Sequence, residues 1–212
     1  MSSVHLHILS SSPQLKPYAG RLKKISEITL KRVGRLLPLT AIDVVLYENP
    51  DDAVAEVGGI GGYTPNAHTV LISLDPRNLN FKKAIESELF ATLAHELHHA
   101  IRWRKPGYGT TLLEALITEG LADHFSIEAG AREIPPWSRA LSAAERTKLL
   151  KRAKRFFSRS YNHADWFFGS TENQIPRWTG YSLGYDLVGE YLKAHPNAKA
   201  SSLVSTKASV IV

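Results

Sequence analysis

The hydrophobic and polar positions along this 212-residue chain change character between its first third and the remainder. Three short apolar stretches bounded by turn residues are typical of buried strands: Val4 to Leu9, Ala41 to Tyr47 and His68 to Leu74. Between the first two, Leu15 to Leu37 has the apolar spacing of a helix, and Pro38 ends it. Because strands come first and helices follow, instead of alternating with them, the order predicts an α+β fold.

The rest of the chain has mainly helical patterns. A long helix is predicted to begin at about Asn80 and to end before Pro106. Its apolar positions recur every four residues and form one ridge, at Leu89, Leu93, Leu97 and Ile101. Capping-box spacings open two later helices, at Thr111 with Glu114 and at Ser142 with Glu145. A last helix is predicted over Tyr181 to Ala194, and the tail after Pro196 is expected to be a strand or disordered.

The composition limits the chemistry that a site in this chain can use. There is no cysteine, so disulfides and thiolate metal sites are excluded, and any metal must be held by His, Asp or Glu. No apolar run reaches the roughly 18 residues of a membrane span, and we expect no membrane partner. The first residues also lack a basic region followed by an apolar stretch, so we expect no secretory signal and a cytoplasmic protein.

The net charge of +6 is concentrated between Arg146 and Arg159. A run of lysines and arginines at helical spacing is typical of the solvated face of a helix, although nucleic acids and acidic surfaces also bind such runs. No signature of a nucleic-acid-binding module accompanies this segment, so we expect no nucleic-acid partner. The sequence makes no prediction of oligomeric state.

The segment His95-Glu96-Leu97-His98-His99 contains the pattern H-E-x-x-H. On a helix, His95 and His99 project from one face, one turn apart, where two neutral imidazoles can bind one Zn²⁺. Glu96 is about 100° further around the helix, so it flanks the metal and can take a proton from a water molecule there. His98 points elsewhere.

A catalytic zinc site of this kind needs a third protein ligand. The next predicted helix offers four candidates: Glu114, Glu119, Asp123 and His124. Glu114 is already explained by the capping box, whereas Glu119 lies mid-helix in an apolar segment, where a carboxylate is costly unless paired or bound to a metal. Asp123 shares the face of Glu119 and can accept a hydrogen bond from a zinc histidine. Gly120 is expected to let this helix and the one that carries the histidines approach closely. The alternative for Glu119 and Asp123 is a pair of exposed acids.

HELHH followed by EGLAD resembles the gluzincin metallopeptidases, the thermolysin-like class. The resemblance implies that Zn²⁺ is held by His95, His99 and Glu119, and that Asp123 supports a zinc histidine. Residues 55–205 are also similar to a bacterial family of predicted Zn-dependent proteases. The metzincin class fits less well, because Arg102 and Lys105 stand where it needs Gly and His.

The resemblance implies a zincin-like fold, with a small mixed sheet, an active-site helix and a mainly helical C-terminal half. The length of the chain suits one domain, or one domain with a small appendage. We expect one metallopeptidase domain over residues 1–212, in which 1–104 form the sheet and active-site helix and 105–212 provide the third ligand. The expected substrate is a peptide or protein.

The resemblance also implies a tyrosine or histidine that stabilises the oxyanion during hydrolysis, with Glu96 as general base. Tyr181 and Tyr185, in GYSLGY, are the candidates, followed by His163; ordinary helix packing also explains both tyrosines. Glycine-rich Gly58 to Tyr63 is interpreted as a substrate-lining edge, or else as a turn before a strand. Two further functions stay open: a catalytically idle zinc-binding or basic interaction module, and hydrolysis of a non-peptide amide.

Overall fold

The computed structural model describes residues 4–212, which form one four-stranded sheet and six α-helices. The strands are β1 (Val4–Ile8), β2 (Ile42–Glu48), β3 (Ile60–Asn66) and β4 (Thr69–Leu74). The helices are α1 (Ala19–Val33), α2 (Phe81–Arg104), α3 (Leu112–Ala129), α4 (Ala143–Ala153), α5 (Thr179–Ala194) and α6 (Ala208–Ile211). The predicted α+β class with a small sheet and a mainly helical second half is confirmed.

The sheet is mixed, with strand order β1-β2-β4-β3. β1, β2 and β4 are parallel, and β3 pairs antiparallel with β4 at one edge. On β2, alternate side chains are buried because successive residues point to opposite faces, as at Ile42, Val44 and Leu46. The glycine-rich segment contributes to β3, which begins at Ile60, and β3 is the edge strand beside β4. Gly58 and Gly59, which have positive φ, form the turn before it.

The chain divides into two compact units. The described part of the first consists of residues 4–104 and Ser126–Arg132, and the second consists of Lys105–Phe125 and Glu133–Val212. In the first unit, α2 packs against β3, β4 and α1. This division does not test the prediction of a single domain over 1–212, which stays a prediction.

In the second unit, apolar side chains from α3, α4, α5 and the intervening segment share one core. Gly120 allows close approach within it, because a Cβ at this position would collide with the backbone carbonyl of Gly184 on α5. A Cβ on Gly184 would likewise collide with the carbonyl of Leu116. The close approach that Gly120 allows here is that of α5, and its predicted role in the contact with the histidine-bearing helix stays a prediction.

The helix ends follow the predicted signals more closely than the tail does. Ser142 and Glu145 form the complete capping box of α4. At α3, the Glu114 carboxylate accepts from the backbone N–H of Thr111 at 2.9 Å. The tail is neither strand nor disordered: it forms a 3₁₀ turn, Ser201–Leu203, and then α6, which buries Ala208 and Ile211. Residues three apart lie on one face of a helix, so this spacing suits a helical turn.

No helix within residues 4–212 combines the length and apolar character that crossing a membrane requires.

Candidate metal centre

α2 carries an unusual number of buried polar side chains for a helix in the interior of a domain. The buried polar residues are Thr92, His95, Glu96, His98, His99 and Arg102. Burying polar groups costs free energy unless they are hydrogen-bonded, paired or bound to an ion. The H-E-x-x-H segment therefore lies where its side chains must have partners, in contrast to a solvated helix face.

His95 and His99 project from the same face of α2, as their spacing predicts. Their Nε2 atoms are 2.9 Å apart, and the two rings lie edge to face. Two nitrogens bound to one Zn²⁺ at about 2.0–2.1 Å cannot be more than about 4.2 Å apart. The observed separation therefore fits two ligands of one ion, and it also fits a hydrogen bond between the two rings.

Glu119 completes a group of three possible ligands. One nitrogen from each histidine and one carboxylate oxygen of Glu119 all lie within 4.8 Å of one another, and all three residues are buried. Two imidazoles and one carboxylate form the donor set of many catalytic zinc sites, with a fourth position left for water or substrate. These residues can hold a metal ion.

The other three candidates on α3 have different partners. The Glu114 carboxylate caps the helix by accepting from the backbone N–H groups of Thr110 and Thr111. The ring of His124 donates to the carbonyl of Tyr185 at 2.9 Å and stacks on the Tyr185 ring. The buried Asp123 carboxylate accepts from its own set of donors, Trp137 Nε1 at 3.1 Å and Ser138 Oγ at 2.6 Å. The role predicted for Asp123, supporting a zinc histidine, stays a prediction.

Glu119 has a partner that the sequence did not indicate. The hydroxyl of Tyr108 donates to Glu119 Oε1 at 2.5 Å. Burial raises the pKa of Tyr108 well above its usual value, and the negative charge of Glu119 raises it further. Tyr108 therefore stays a proton donor across the physiological range and fixes one of the two carboxylate oxygens.

Glu96 is held by the edge strand β3. The Thr64 hydroxyl lies 2.7 Å from Glu96 Oε2, and the Trp103 indole donates to the Thr64 carbonyl at 2.8 Å. A Cβ on Gly62 would lie 2.6 Å from Glu96 Oε1, which is closer than real Cβ atoms come to their neighbours. The glycine-rich stretch therefore gives the carboxylate of the predicted base its space and its hydrogen bond.

The predicted oxyanion donors lie in different surroundings. Tyr181 belongs to what we call the aromatic cluster, formed by Tyr108, Tyr161, His163, Phe167 and Tyr181. The rings of Tyr108 and Tyr161 both lie beside His163, which stacks on Phe167, and Phe167 contacts Tyr181. Tyr185, one turn later on α5, stacks on His124 with ring centroids 3.9 Å apart. Tyr181 and His163 therefore belong to the aromatic cluster, which also includes Tyr108, the partner of Glu119. Tyr185 lies outside this cluster, against His124.

Charges from the acids of α3 also act on the aromatic cluster. Burial, followed by the negative charges of Glu119 and Glu114, raises the pKa of Tyr161 to about 12. Tyr161 is therefore protonated at neutral pH, and its hydroxyl lies 3.3 Å from His163 Nδ1. Sequence reasoning missed Tyr108, Tyr161, Thr64 and Ser138. The only available signal was the glycine-rich run beside Thr64, because the others come from loops or from irregular segments.

Comparison with known proteins agrees with the chemistry of these residues. Residues 22–212 match the model of a family described as "predicted Zn-dependent protease". This confirms the resemblance to a family of predicted Zn-dependent proteases. No curated protein matches the chain.

Proposed function

The chain belongs to the family described as predicted Zn-dependent protease (DUF2268), and from this premise we propose that it is a zinc-dependent peptidase with Glu96 as general base. The observation that carries the proposal is the buried group of His95, His99 and Glu119, whose ligand atoms lie within 4.8 Å of one another. Glu96 follows His95 directly on α2, within the turn that separates the two histidines.

The proposed ligands are His95, His99 and Glu119, the donor set that Zn²⁺ prefers when one position is kept for chemistry. When bound, zinc would polarise the scissile carbonyl and make water at the site more acidic. Tyr108 donates to Glu119 Oε1 and so orients the carboxylate that would hold the ion. Asp123, buried four residues after Glu119, is proposed to support one of the histidines.

Glu96 is proposed to accept a proton from the attacking water and to deliver it to the leaving amine. A general base must be held within hydrogen-bonding reach of the proton that it takes. The buried carboxylate of Glu96 has this kind of support, because Thr64 binds one oxygen and Gly62 lies against the other.

The negative oxygen that develops on the substrate needs a hydrogen-bond donor. Tyr181 is the favoured residue, because its ring contacts Phe167 in the aromatic cluster that also includes Tyr108, the partner of Glu119. Tyr185 is the second choice, because its ring stacks on His124 and not on the aromatic cluster that includes Tyr108. A tyrosine donor of this kind would also fit the gluzincin class, which stays a proposal.

The substrate is proposed to be a peptide in extended conformation that adds to the edge strand β3. β3 is the outermost strand beside β4, and Gly62 and Tyr63 in it are exposed. An edge strand offers backbone N–H and C=O groups to which an extended peptide can bind. Since Gly62 also touches Glu96, a peptide on this edge would pass the proposed base. A cytoplasmic location stays a prediction.

One observation favours a second candidate function, a basic interaction module with an idle site. Lys148, Lys151, Lys154 and Arg155 are all exposed along α4 and the turn after it. Such a surface attracts acidic partners by long-range electrostatics. An idle site, however, has no use for a buried carboxylate fitted against Gly62 and Thr64, so the peptidase is the better-supported proposal.

The proposal is tested by combining metal content with peptide hydrolysis. Wild type, Glu119→Ala and Glu96→Gln are purified with zinc, measured by elemental analysis, and assayed on casein and quenched peptides. Exposed Glu133→Ala is the matched control for loss of a glutamate. We expect about one zinc per chain in wild type and Glu96→Gln, loss of zinc in Glu119→Ala, and hydrolysis only by wild type and Glu133→Ala. A wild type that binds zinc without hydrolysing any peptide would contradict the proposal and favour the idle module.

A further inference from the structure

We propose that Thr64 positions the general base by holding Oε2 of Glu96, while Gly62 leaves Oε1 free to take the proton. This inference rests on the proposed peptidase function, because it concerns how the base of that reaction is oriented. Thr64 would touch neither substrate nor metal, so it is a positioning residue and not a catalytic one.

The Thr64 hydroxyl has a single proton and two acceptors within reach, both on Glu96. The carboxylate oxygen Oε2 is 2.7 Å away, and the backbone carbonyl is 3.0 Å away. Hydroxyl–carboxylate bonds are shorter and about twice as strong as bonds between neutral groups, and 2.7 Å is at the length typical of them. The proton therefore belongs to the bond with the carboxylate, which is buried and needs a donor.

Thr64 is itself anchored to α2 at a second point. Its carbonyl accepts from the indole of Trp103, seven positions after Glu96 and thus two turns along the same face of the helix. The strand is fixed to the helix on both sides of the hydroxyl, through one side-chain bond and one backbone bond. Such support from neighbouring packed groups keeps a catalytic side chain in one geometry.

Gly62 lies two residues before Thr64 and so on the same face of β3. A Cβ there would be 2.6 Å from both Oε1 and Cγ of Glu96. The two carboxylate oxygens are therefore treated differently by one strand: Thr64 binds Oε2, and Gly62 borders Oε1 without filling the space beside it. Gly62 is exposed and Thr64 is buried, so Oε1 is the oxygen that borders the more exposed of the two residues.

A merely structural role makes a different prediction from a positioning role. If Thr64 only fills space, Thr64→Val, which keeps both branches of the side chain, is the milder change, and Thr64→Ser, which deletes a buried methyl group, is the worse one. If its hydroxyl orients Glu96, the order reverses, because serine keeps the donor and valine removes it. Thr29→Val is the matched control, since Thr29 is also buried and its hydroxyl bonds only to a backbone carbonyl on α1.

The experiment compares the zinc-loaded wild type with Thr64→Val, Thr64→Ser and Thr29→Val on a quenched peptide, with zinc content measured for each. We expect Thr64→Val to lower kcat by about 10- to 100-fold with KM within about threefold and zinc unchanged. Thr64→Ser should stay within about threefold of wild type in kcat, as should Thr29→Val. Unchanged kcat in Thr64→Val, or equal losses in the serine and valine variants, would overturn the inference.

A second measurement separates failure of this inference from failure of the proposed function. Thr64→Val, Glu96→Ala and the double variant are compared in thermal unfolding without metal. We expect Thr64→Val to lower Tm by about 5 °C in wild type, because a buried carboxylate loses its donor, and by much less in Glu96→Ala. Additive changes in Tm would overturn the contact, whatever the activity. If the changes in Tm are coupled but the zinc-loaded wild type hydrolyses no peptide, the contact is supported and the peptidase function is refuted.

Discussion

The hydroxyl of Tyr108 donates a hydrogen bond of 2.5 Å to Oε1 of Glu119. Tyr108 comes from the segment before α3, and Glu119 lies two turns into that helix. Burial and the charge of Glu119 both raise the pKa of Tyr108, so the phenol keeps its proton. The carboxylate is thereby oriented before any ion binds.

Removing this hydroxyl should weaken metal binding. We expect Tyr108→Phe to lower zinc affinity by about 10- to 100-fold, because groups that orient a metal ligand typically contribute that much. Competition with a chromophoric chelator measures the affinity. Tyr191→Phe is the control, since Tyr191 stacks on His195 near the end of α5. Equal affinities for wild type and Tyr108→Phe would show that the bond does not prepare Glu119 for metal.

The close approach of α3 and α5 at Gly120 and Gly184 should be sensitive to a single methyl group. Gly120→Ala would place a Cβ against the backbone of Gly184, which cannot move aside as a flexible side chain can. We expect a loss of about 3 kcal/mol in the free energy of unfolding, measured with urea.

The control for Gly120→Ala is Gly20→Ala on α1. A Cβ at Gly20 would meet no atom within 4 Å. Because alanine is a better helix former than glycine, we expect this change to raise stability, by up to about 1 kcal/mol. A harmless Gly120→Ala would mean that the two helices are not packed as closely as described.

Much of the fold and the metal group could be predicted from the sequence, because both depend on local periodicity. The ridge of α2 and the spacing of His95 and His99 follow from the helical repeat alone. Glu119 was predictable because a carboxylate in an apolar helix needs a partner. The capping boxes at Thr111 and Ser142 depend on residues only three positions apart.

The partners of these residues could not be predicted, because they depend on distant parts of the chain. Thr64 reaches Glu96 across 32 positions, and no local repeat links an edge strand to a helix at that separation. The same holds for the approach of α5 to Gly120, because Gly184 is 64 positions further along the chain. The tail was misjudged because α6 is only four residues long, too short for a periodic pattern.

His124 should make stability depend on pH. Burial lowers the pKa of His124 below its usual value of 6.5, and the hydrogen bond with the Tyr185 carbonyl only partly offsets this. The unfolded chain then binds the proton more tightly than the folded one. Stability is therefore fully present above about pH 6.5 and is lost as the pH falls through the lower folded pKa.

We expect His124→Gln to lose less Tm than wild type between pH 7.5 and pH 5, because glutamine can keep a donor near Tyr185 without titrating. Differential scanning fluorimetry at matched ionic strength measures the two slopes. His195→Gln, near the end of α5, is the control for exchanging a histidine for glutamine. Parallel curves for wild type and His124→Gln would contradict the burial effect.

Asp123 should affect metal binding through its charge, separately from its effect on folding. Its buried carboxylate accepts from Ser138 Oγ at 2.6 Å and from Trp137 Nε1 at 3.1 Å. If the same carboxylate supports a zinc histidine, Asp123→Asn should lower zinc affinity by about 10- to 100-fold. Ser138→Ala removes one donor but keeps the charge, so it should cost about 1.5–3 kcal/mol of stability and leave zinc affinity nearly unchanged. Chelator competition and urea unfolding on both variants separate the two effects. Equal zinc affinities for wild type and Asp123→Asn would exclude a role for Asp123 at the metal.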